Sequence, residues 1–113
     1  MTRLLLAASA LAISIVLIPG ASAEDQDTEA VNACKKNAGF AAESLVKKVK
    51  DNGEPYDAVT LGDVHGRKDK FLIINGSVDV YTDINIFEFS YTCEYNPHDP
   101  AGPSSKIVEI KPN

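Results

Sequence analysis

The two cysteines constrain the fold of this 113-residue chain more than any other feature. Cys34 and Cys93 are 59 residues apart, so only one pairing within the chain exists. Closing a loop of this length stabilises a small domain by roughly 4 kcal/mol. The alternative is a redox-active pair, but catalytic cysteines usually stand as C-x-x-C at a helix N-terminus. We therefore predict a structural disulfide that ties an early segment to a late one.

Residues 1–23 have the order typical of a secretory signal peptide. Arg3 is the only charge, residues 4–18 are apolar or small, and Pro19-Gly20 precedes the small-x-small sequence Ala21-Ser22-Ala23. The apolar run of about 15 residues is shorter than the roughly 20 that a spanning helix needs. We predict that residues 1–23 are removed and that residues 24–113 form one domain. That domain is expected to be periplasmic or secreted, without a stable membrane anchor, in a compartment that favours disulfides.

The net negative charge argues against a nucleic-acid partner. The chain carries 11 basic and 16 acidic side chains, and the predicted signal would remove only Arg3, which leaves 10 basic residues and a net charge of −6. Nucleic-acid binding needs clustered lysine and arginine, so we predict no nucleic-acid partner. The lysines that do cluster fall on a predicted helix, at Lys35, Lys36, Lys47, Lys48 and Lys50. Such a charged face is usually solvated, although it could also dock an acidic partner.

The first half of the predicted domain has the period of an amphipathic helix. Apolar residues recur every three or four positions from Val31 to Val49, and Cys34 lies on the same stripe. Asp27 or Thr28 can cap the start, while Asn52-Gly53 is typical of a helix end. These signals predict a helix at about 28–51. Gly39 within the stripe indicates either a weak point or a close approach to the sheet.

After Pro55 the period changes to two, which is typical of strands. Strands are expected near residues 59–61, 71–80, 87–95 and 107–110. We predict a polar turn at 65–69, a turn at 82–83 and a proline-containing loop at 96–105. Asn75-Gly76 predicts either a turn or a bulge within one long strand. The run 87–95 alternates strictly and places Cys93 on its apolar face.

One helix followed by consecutive strands indicates an α+β fold. The simplest arrangement packs the N-terminal helix on one face of a three- to four-stranded antiparallel meander. The disulfide agrees with this arrangement, because Cys34 lies on the apolar stripe of the helix and Cys93 on the inward face of the third strand.

Two pairs of residues are candidate metal ligands. Asp63 and His65 form D-x-H, and His98-Asp99 follows in the later loop. Imidazole and carboxylate are ligands for zinc, copper or nickel. Nothing in the sequence brings these two loops together, so we predict no metal and no other cofactor. A metal-binding envelope protein remains the alternative function.

No motif indicates catalysis. Acid–base hydrolysis needs two carboxylates across a cleft, whereas acidic residues such as Glu88 and Glu94 occupy positions that face solvent in the predicted strands. The chain has no G-x-S-x-G, and no serine beside a recognisable base motif. We predict that the protein is not an enzyme.

The chain resembles a broad set of small exported bacterial proteins of unassigned function. The matching features are Ala33-Cys34 on the helix, Gly76-Ser77-Val78 on the middle strand, and Phe89-Ser90-Tyr91-Thr92-Cys93 followed by Lys106-Ile107-Val108. The resemblance implies the fold and the compartment, and it brings no catalytic residues.

Together these features predict a small exported binding module whose partner is another protein in the envelope or outside the cell. Its working surface would be the exposed sheet face or the loops at 63–70 and 96–105. One concrete form is an inhibitor of a secreted hydrolase that inserts the proline-containing loop into a cleft, with a basic target favoured by the acidic net charge. The residues predicted to contact the partner are Tyr56, Tyr81, Pro97, His98 and Pro100.

Overall fold

The computed structural model describes residues 18–49 and 51–113, with side-chain detail from residue 26 onward. Helix α1 (Ile18–Lys48) is followed by strands β1 (Asp57–Lys68), β2 (Phe71–Tyr81), β3 (Ile86–Asn96) and β4 (Ser104–Pro112). These strands form one antiparallel sheet in the order β1-β2-β3-β4. The predicted α+β fold is confirmed, with four strands in the meander.

The helix begins earlier and ends earlier than its sequence pattern predicts. It already includes Ile18, the first described residue, rather than beginning near residue 28, and it stops at Lys48 rather than near residue 51. The predicted cleavage site after Ala23 therefore falls within α1. Most of the predicted signal lies outside the described residues, and export stays a prediction.

The buried stripe of α1 is made of small residues at a spacing of four. Its members are all at most 1% exposed: Ala30, Cys34, Ala38, Ala42 and Val46. Small side chains let the helix axis approach the sheet closely. The bulk of the core comes instead from the sheet, through Leu72, Ile74, Val78, Val80, Phe89, Tyr91 and Tyr95.

The helix runs antiparallel to β3. Before the middle of the helix, Glu29 contacts Tyr95, and near its middle Cys34 is bonded to Cys93 with their Cα atoms 5.9 Å apart. Near its end, Val46 shares a cleft with Phe89. The predicted disulfide is confirmed, and it fixes the helix lengthwise along the third strand.

The sheet curves around the helix. The Asn37 side chain donates a hydrogen bond to the Ser105 hydroxyl in edge strand β4. Two residues further on, on the opposite side of the helix, Gly39 lies beside β1 at the other edge, where a methyl group would stand 3.4 Å from the Thr60 hydroxyl. Because neighbouring positions of one helix reach both edges, the outer strands must fold up on either side of it. Gly39 is thus a point of close approach.

The predicted turn at 65–69 is mostly strand. β1 continues to Lys68, and only Asp69 and Lys70 connect it to β2. Asp69 takes a left-handed conformation, with φ of 56°. A bulge between Val64 and Gly66 accommodates His65. Polar residues fit this strand because one face of an antiparallel edge strand can remain open to solvent.

The Asn75-Gly76 pair forms neither a turn nor a bulge. β2 pairs through it in unbroken register with both of its neighbours. The Tyr91 side chain crosses from β3 to β1, where its hydroxyl donates a hydrogen bond of 3.0 Å to the Leu61 carbonyl. A methyl group on Gly76 would stand 2.7 Å from that hydroxyl and 2.8 Å from the Gly62 Cα. Glycine is therefore required at this position by the close approach of Tyr91 and β1.

Candidate functional site

An apolar cleft separates the C-terminal end of α1 from the start of β3 and the end of β4. Its volume is about 660 Å³, which is within the range of ligand sites in proteins. Apolar side chains form most of its walls: Leu45, Val46, Val49, Ile86, Phe87, Phe89, Ile110 and Pro112.

The cleft opens because the helix stops before its apolar stripe does. The Asn52 amide donates a hydrogen bond of 3.2 Å to the Val46 carbonyl, which ends the helical bonding. Asp51 and Gly53 then take left-handed conformations, with φ of 71° and 82°, and turn the chain away. Val49 is left exposed at the mouth of the cleft instead of being covered by a further helical turn.

Backbone and polar contacts hold the opposite wall in place. The Asn113 N–H donates a hydrogen bond of 2.9 Å to the Glu88 carbonyl. The Ser90 hydroxyl donates to the Asn113 side-chain oxygen. Glu88 is the single ionisable side chain among the residues that line the cleft, all of which are described. The cleft is suited to holding apolar groups, and its lining offers no acid–base pair.

Exposed apolar side chains extend from the cleft over the same end of the sheet. Tyr56, Ile84 and Ile86 are all exposed there. The Tyr56 N–H donates a hydrogen bond of 3.0 Å to the Tyr81 carbonyl, so both predicted contact tyrosines lie at this end. The adjacent turn is fixed by the buried Thr82, whose hydroxyl accepts a hydrogen bond of 3.0 Å from the Asn85 N–H. Exposed apolar side chains grouped at one end of a domain are typical of an interaction site.

The other predicted contact residues lie elsewhere. Pro97, His98 and Pro100 belong to the β3–β4 loop, at the opposite end of the sheet. Strands of 11 residues separate the two ends, a distance of about 36 Å. The five predicted contact residues therefore do not form one surface.

The β3–β4 loop has a fixed shape. The Asp99 carboxylate accepts hydrogen bonds from the Ala101 N–H at 3.0 Å and from the Ser104 hydroxyl at 2.8 Å. Both bonds hold the pKa of Asp99 below the ordinary value of 3.8, and the bond from Ala101 has the larger effect. Asp99 thus has a structural role in its own loop.

The four candidate metal ligands do not converge. Asp63 lies in the middle of β1, paired with Asn75, and His65 occupies the nearby bulge. His98 and Asp99 lie beyond the end of β3. Within residues 18–49 and 51–113, no three His, Cys, Asp or Glu side chains are grouped so as to hold a metal ion. Metal binding stays the alternative hypothesis, without a site among the described residues.

Two buried phenols have clearly perturbed acidity. Burial is the main cause of the raised pKa of Tyr91, and the negative charge of Asp63 adds to it. Burial is also the main cause of the raised pKa of Tyr95, with smaller contributions from the charge and the hydrogen bond of Glu29. Both shifts keep the phenol protonated and able to donate, and neither side chain lines the cleft. They serve the packing of the core.

Sequence reasoning missed the residues that build the cleft. Val49 and Phe87 were predicted as ordinary positions on apolar faces, which is all that their periodicity indicates. The available signal was the early Asn52-Gly53 stop, since it removes the turn that would have covered Val49.

Comparisons with known proteins give no relative. No protein-family model matches the chain, and neither the curated proteins nor the solved structures give a match. Among the described residues, no helix combines the length and apolar character needed to cross a membrane.

Proposed function

We propose that the protein is a small exported binding module without catalytic activity, and that its binding site is the apolar cleft at the C-terminal end of α1. The observation that supports this proposal is the cleft itself: about 660 Å³ of space with mostly apolar walls. Its lining holds one ionisable side chain, Glu88, and no acid–base pair.

The occupant we propose is an apolar segment of another protein in the envelope or outside the cell. Outside the cleft wall, which includes Ile86, Tyr56 and Ile84 are also exposed at this end of the sheet, and together with the cleft they offer more apolar surface than a small ligand would cover. Lys47 and Lys48 are exposed in the last helical turn, next to Val46 and Val49. Acidic side chains flanking the apolar segment would therefore be favoured.

The test compares cleft variants with a matched variant outside the cleft. Val49→Asp and Ile86→Asp each place a carboxylate at an exposed position of the cleft wall, where folding is little affected. Val108→Asp makes the same change on exposed β4, away from the cleft. The oxidised wild-type protein is cross-linked in its own envelope or secreted fraction, and the captured segment is then synthesised as a peptide.

We expect the peptide to bind the wild type and the Val108→Asp variant equally. Burying a carboxylate without a partner is costly, so the two cleft variants should bind at least tenfold more weakly. Equal binding by all four proteins would place the contact outside the cleft and would refute the proposed site.

A second candidate function is inhibition of a secreted hydrolase by the β3–β4 loop. The supporting observation is that the Asp99 hydrogen bonds fix this loop before any partner is present. A preorganised loop loses less conformational entropy on binding. The test measures inhibition of basic secreted hydrolases by the wild type and by Asp99→Ala. We expect weaker inhibition by the variant, and no inhibition of any hydrolase by the wild type would remove this candidate.

A further inference from the structure

The two edges of the sheet differ in how they are protected. β4 carries a bulge opposite Thr92 and Cys93 and ends at Pro112, with Lys106 and Lys111 along its length. Bulges, prolines and lysines are the usual means by which proteins prevent an edge strand from pairing with another chain. β1 is 12 residues long and has no proline; its bulge and its basic residues Arg67 and Lys68 lie beyond Val64, so it pairs regularly with β2 from Asp57 to Val64. The outer edge of β1 is therefore the one available for pairing.

Exposed apolar side chains lie on both faces of this edge. Val59 and Leu61 alternate on the face of β1 opposite the helix, at 44% and 63% exposure. On the helix side, Phe40 is 60% exposed and lies beside Ala58 and Thr60. A strand added to this edge would cover apolar groups on both of its faces and would bond the outer backbone of β1, which pairs with no other strand among residues 18–49 and 51–113.

The charges along β1 identify the added strand. The strand begins with Asp57 and ends with Arg67 and Lys68. In an antiparallel pair of identical strands centred near Gly62, Asp57 of each copy stands opposite Lys68 of the other. Symmetry creates this contact twice, whereas parallel pairing would set like charges against each other.

We propose that the chain forms a symmetric homodimer by antiparallel pairing of β1 with β1 of a second copy. The two sheets then join into one continuous sheet of eight strands, with both helices on the same face and a Phe40 from each copy beside the seam. Such an interface uses the same patch on both copies, as a two-fold axis requires. The apolar cleft lies on the β4 side of α1, so the dimer leaves both clefts open and stands independently of the proposed function.

The first test measures mass by sedimentation equilibrium over a range of protein concentrations. We expect the wild type to approach twice the chain mass, and Leu61→Lys to remain monomeric at the same concentrations. Val108→Lys is the matched control, since it makes the same change at an exposed apolar residue of the other edge strand. A wild type that stays monomeric at millimolar concentration overturns the proposal, as does a Val108→Lys variant that dissociates as readily as Leu61→Lys.

The second test reverses the proposed charge pair. Asp57→Lys and Lys68→Asp each set like charges against each other twice, and we expect the dimer dissociation constant to rise about tenfold or more. The double variant restores opposite charges and should return to near the wild-type value. Both side chains are exposed, so circular dichroism should show an unchanged fold. A double variant weaker than either single variant would overturn the antiparallel register.

Discussion

Substituting Gly76 with alanine should be the most damaging small change in this protein. The new methyl group would meet the Leu61 carbonyl of β1, the Tyr91 hydroxyl at 2.7 Å and the Gly62 Cα at 2.8 Å. Two of these neighbours are backbone, so β1 and β2 would have to separate locally. Overpacking of this kind costs about 1–3 kcal/mol, and losing the hydrogen bond from Tyr91 to Leu61 costs about 0.5–1.5 kcal/mol more. We expect the free energy of unfolding to fall by about 1.5–4.5 kcal/mol.

Gly66 provides the matched control, because it lies on the neighbouring strand and a methyl group there meets nothing within 4 Å. Gly66→Ala should change stability by no more than about 0.5 kcal/mol. Urea unfolding followed by circular dichroism measures both variants. Equal stability of the Gly66→Ala and Gly76→Ala variants would refute the close approach of Tyr91 and β1.

Variants at Gly62 test whether the Tyr91 hydroxyl is the atom that obstructs a larger side chain between β1 and β2. A methyl group at Gly62 would collide only with the Tyr91 hydroxyl, and its next contacts, at 3.4 and 3.5 Å, are ordinary. Tyr91→Phe should therefore relieve Gly62→Ala, so that the double variant is about as stable as Tyr91→Phe alone. It should relieve Gly76→Ala only in part, since the backbone contacts remain. Failure of Tyr91→Phe to rescue Gly62→Ala would exclude the hydroxyl as the obstructing atom.

Two further predictions concern the disulfide and the β3–β4 loop. Reducing Cys34–Cys93 should lower the free energy of unfolding by about 4 kcal/mol, as expected for a 59-residue separation; a loss under about 1 kcal/mol in urea unfolding would contradict this. Because the pKa of Asp99 is depressed, its contribution to loop order is present above pH 3.8 and is lost as the pH falls through the lowered value. The protection of the Ala101 amide, measured as its exchange rate relative to that of an unstructured peptide at the same pH, should fall in acid, and this loss of protection should be absent in Asp99→Asn.

The sequence predicted those parts of the fold that depend only on which side chains share one face of a helix or a strand. The helix stripe and the alternation in 87–95 each placed a cysteine on a buried face, and this was sufficient to predict the disulfide and the helix-on-sheet packing. The strand β1 was underestimated because His65, Arg67 and Lys68 are polar, and an edge strand with an open face can accept such residues without burial. Local composition does not distinguish that situation from a turn.

The remaining differences depend on contacts between distant segments. Asn75-Gly76 has the composition of a turn, but its glycine is needed because Tyr91, 15 residues later, crosses it to reach Leu61. The cleft likewise depends on the distance between the end of α1 and β3. The apolar periodicity that includes Val49 and Phe87 predicts which face each residue occupies, but it does not predict that distance. Of the predicted contact residues, only Tyr56 and Tyr81 lie near the cleft. The sequence shows that a residue stands at the end of a strand, but it does not show at which end of the sheet that strand end lies.

The bond between Cys34 and Cys93 also sets an order of events while the chain is being made. Ribosomes add about 5–20 residues per second, so the 59 residues that follow Cys34 take about 3–12 seconds. During that interval the thiol of Cys34 has no partner in its own chain, and the small-residue stripe of the helix has no sheet to cover it. The helix can form early, but its position is settled only when β3 arrives. The core is therefore completed only after Cys93 is available, and until then the thiol of Cys34 is open to pairing with a foreign cysteine.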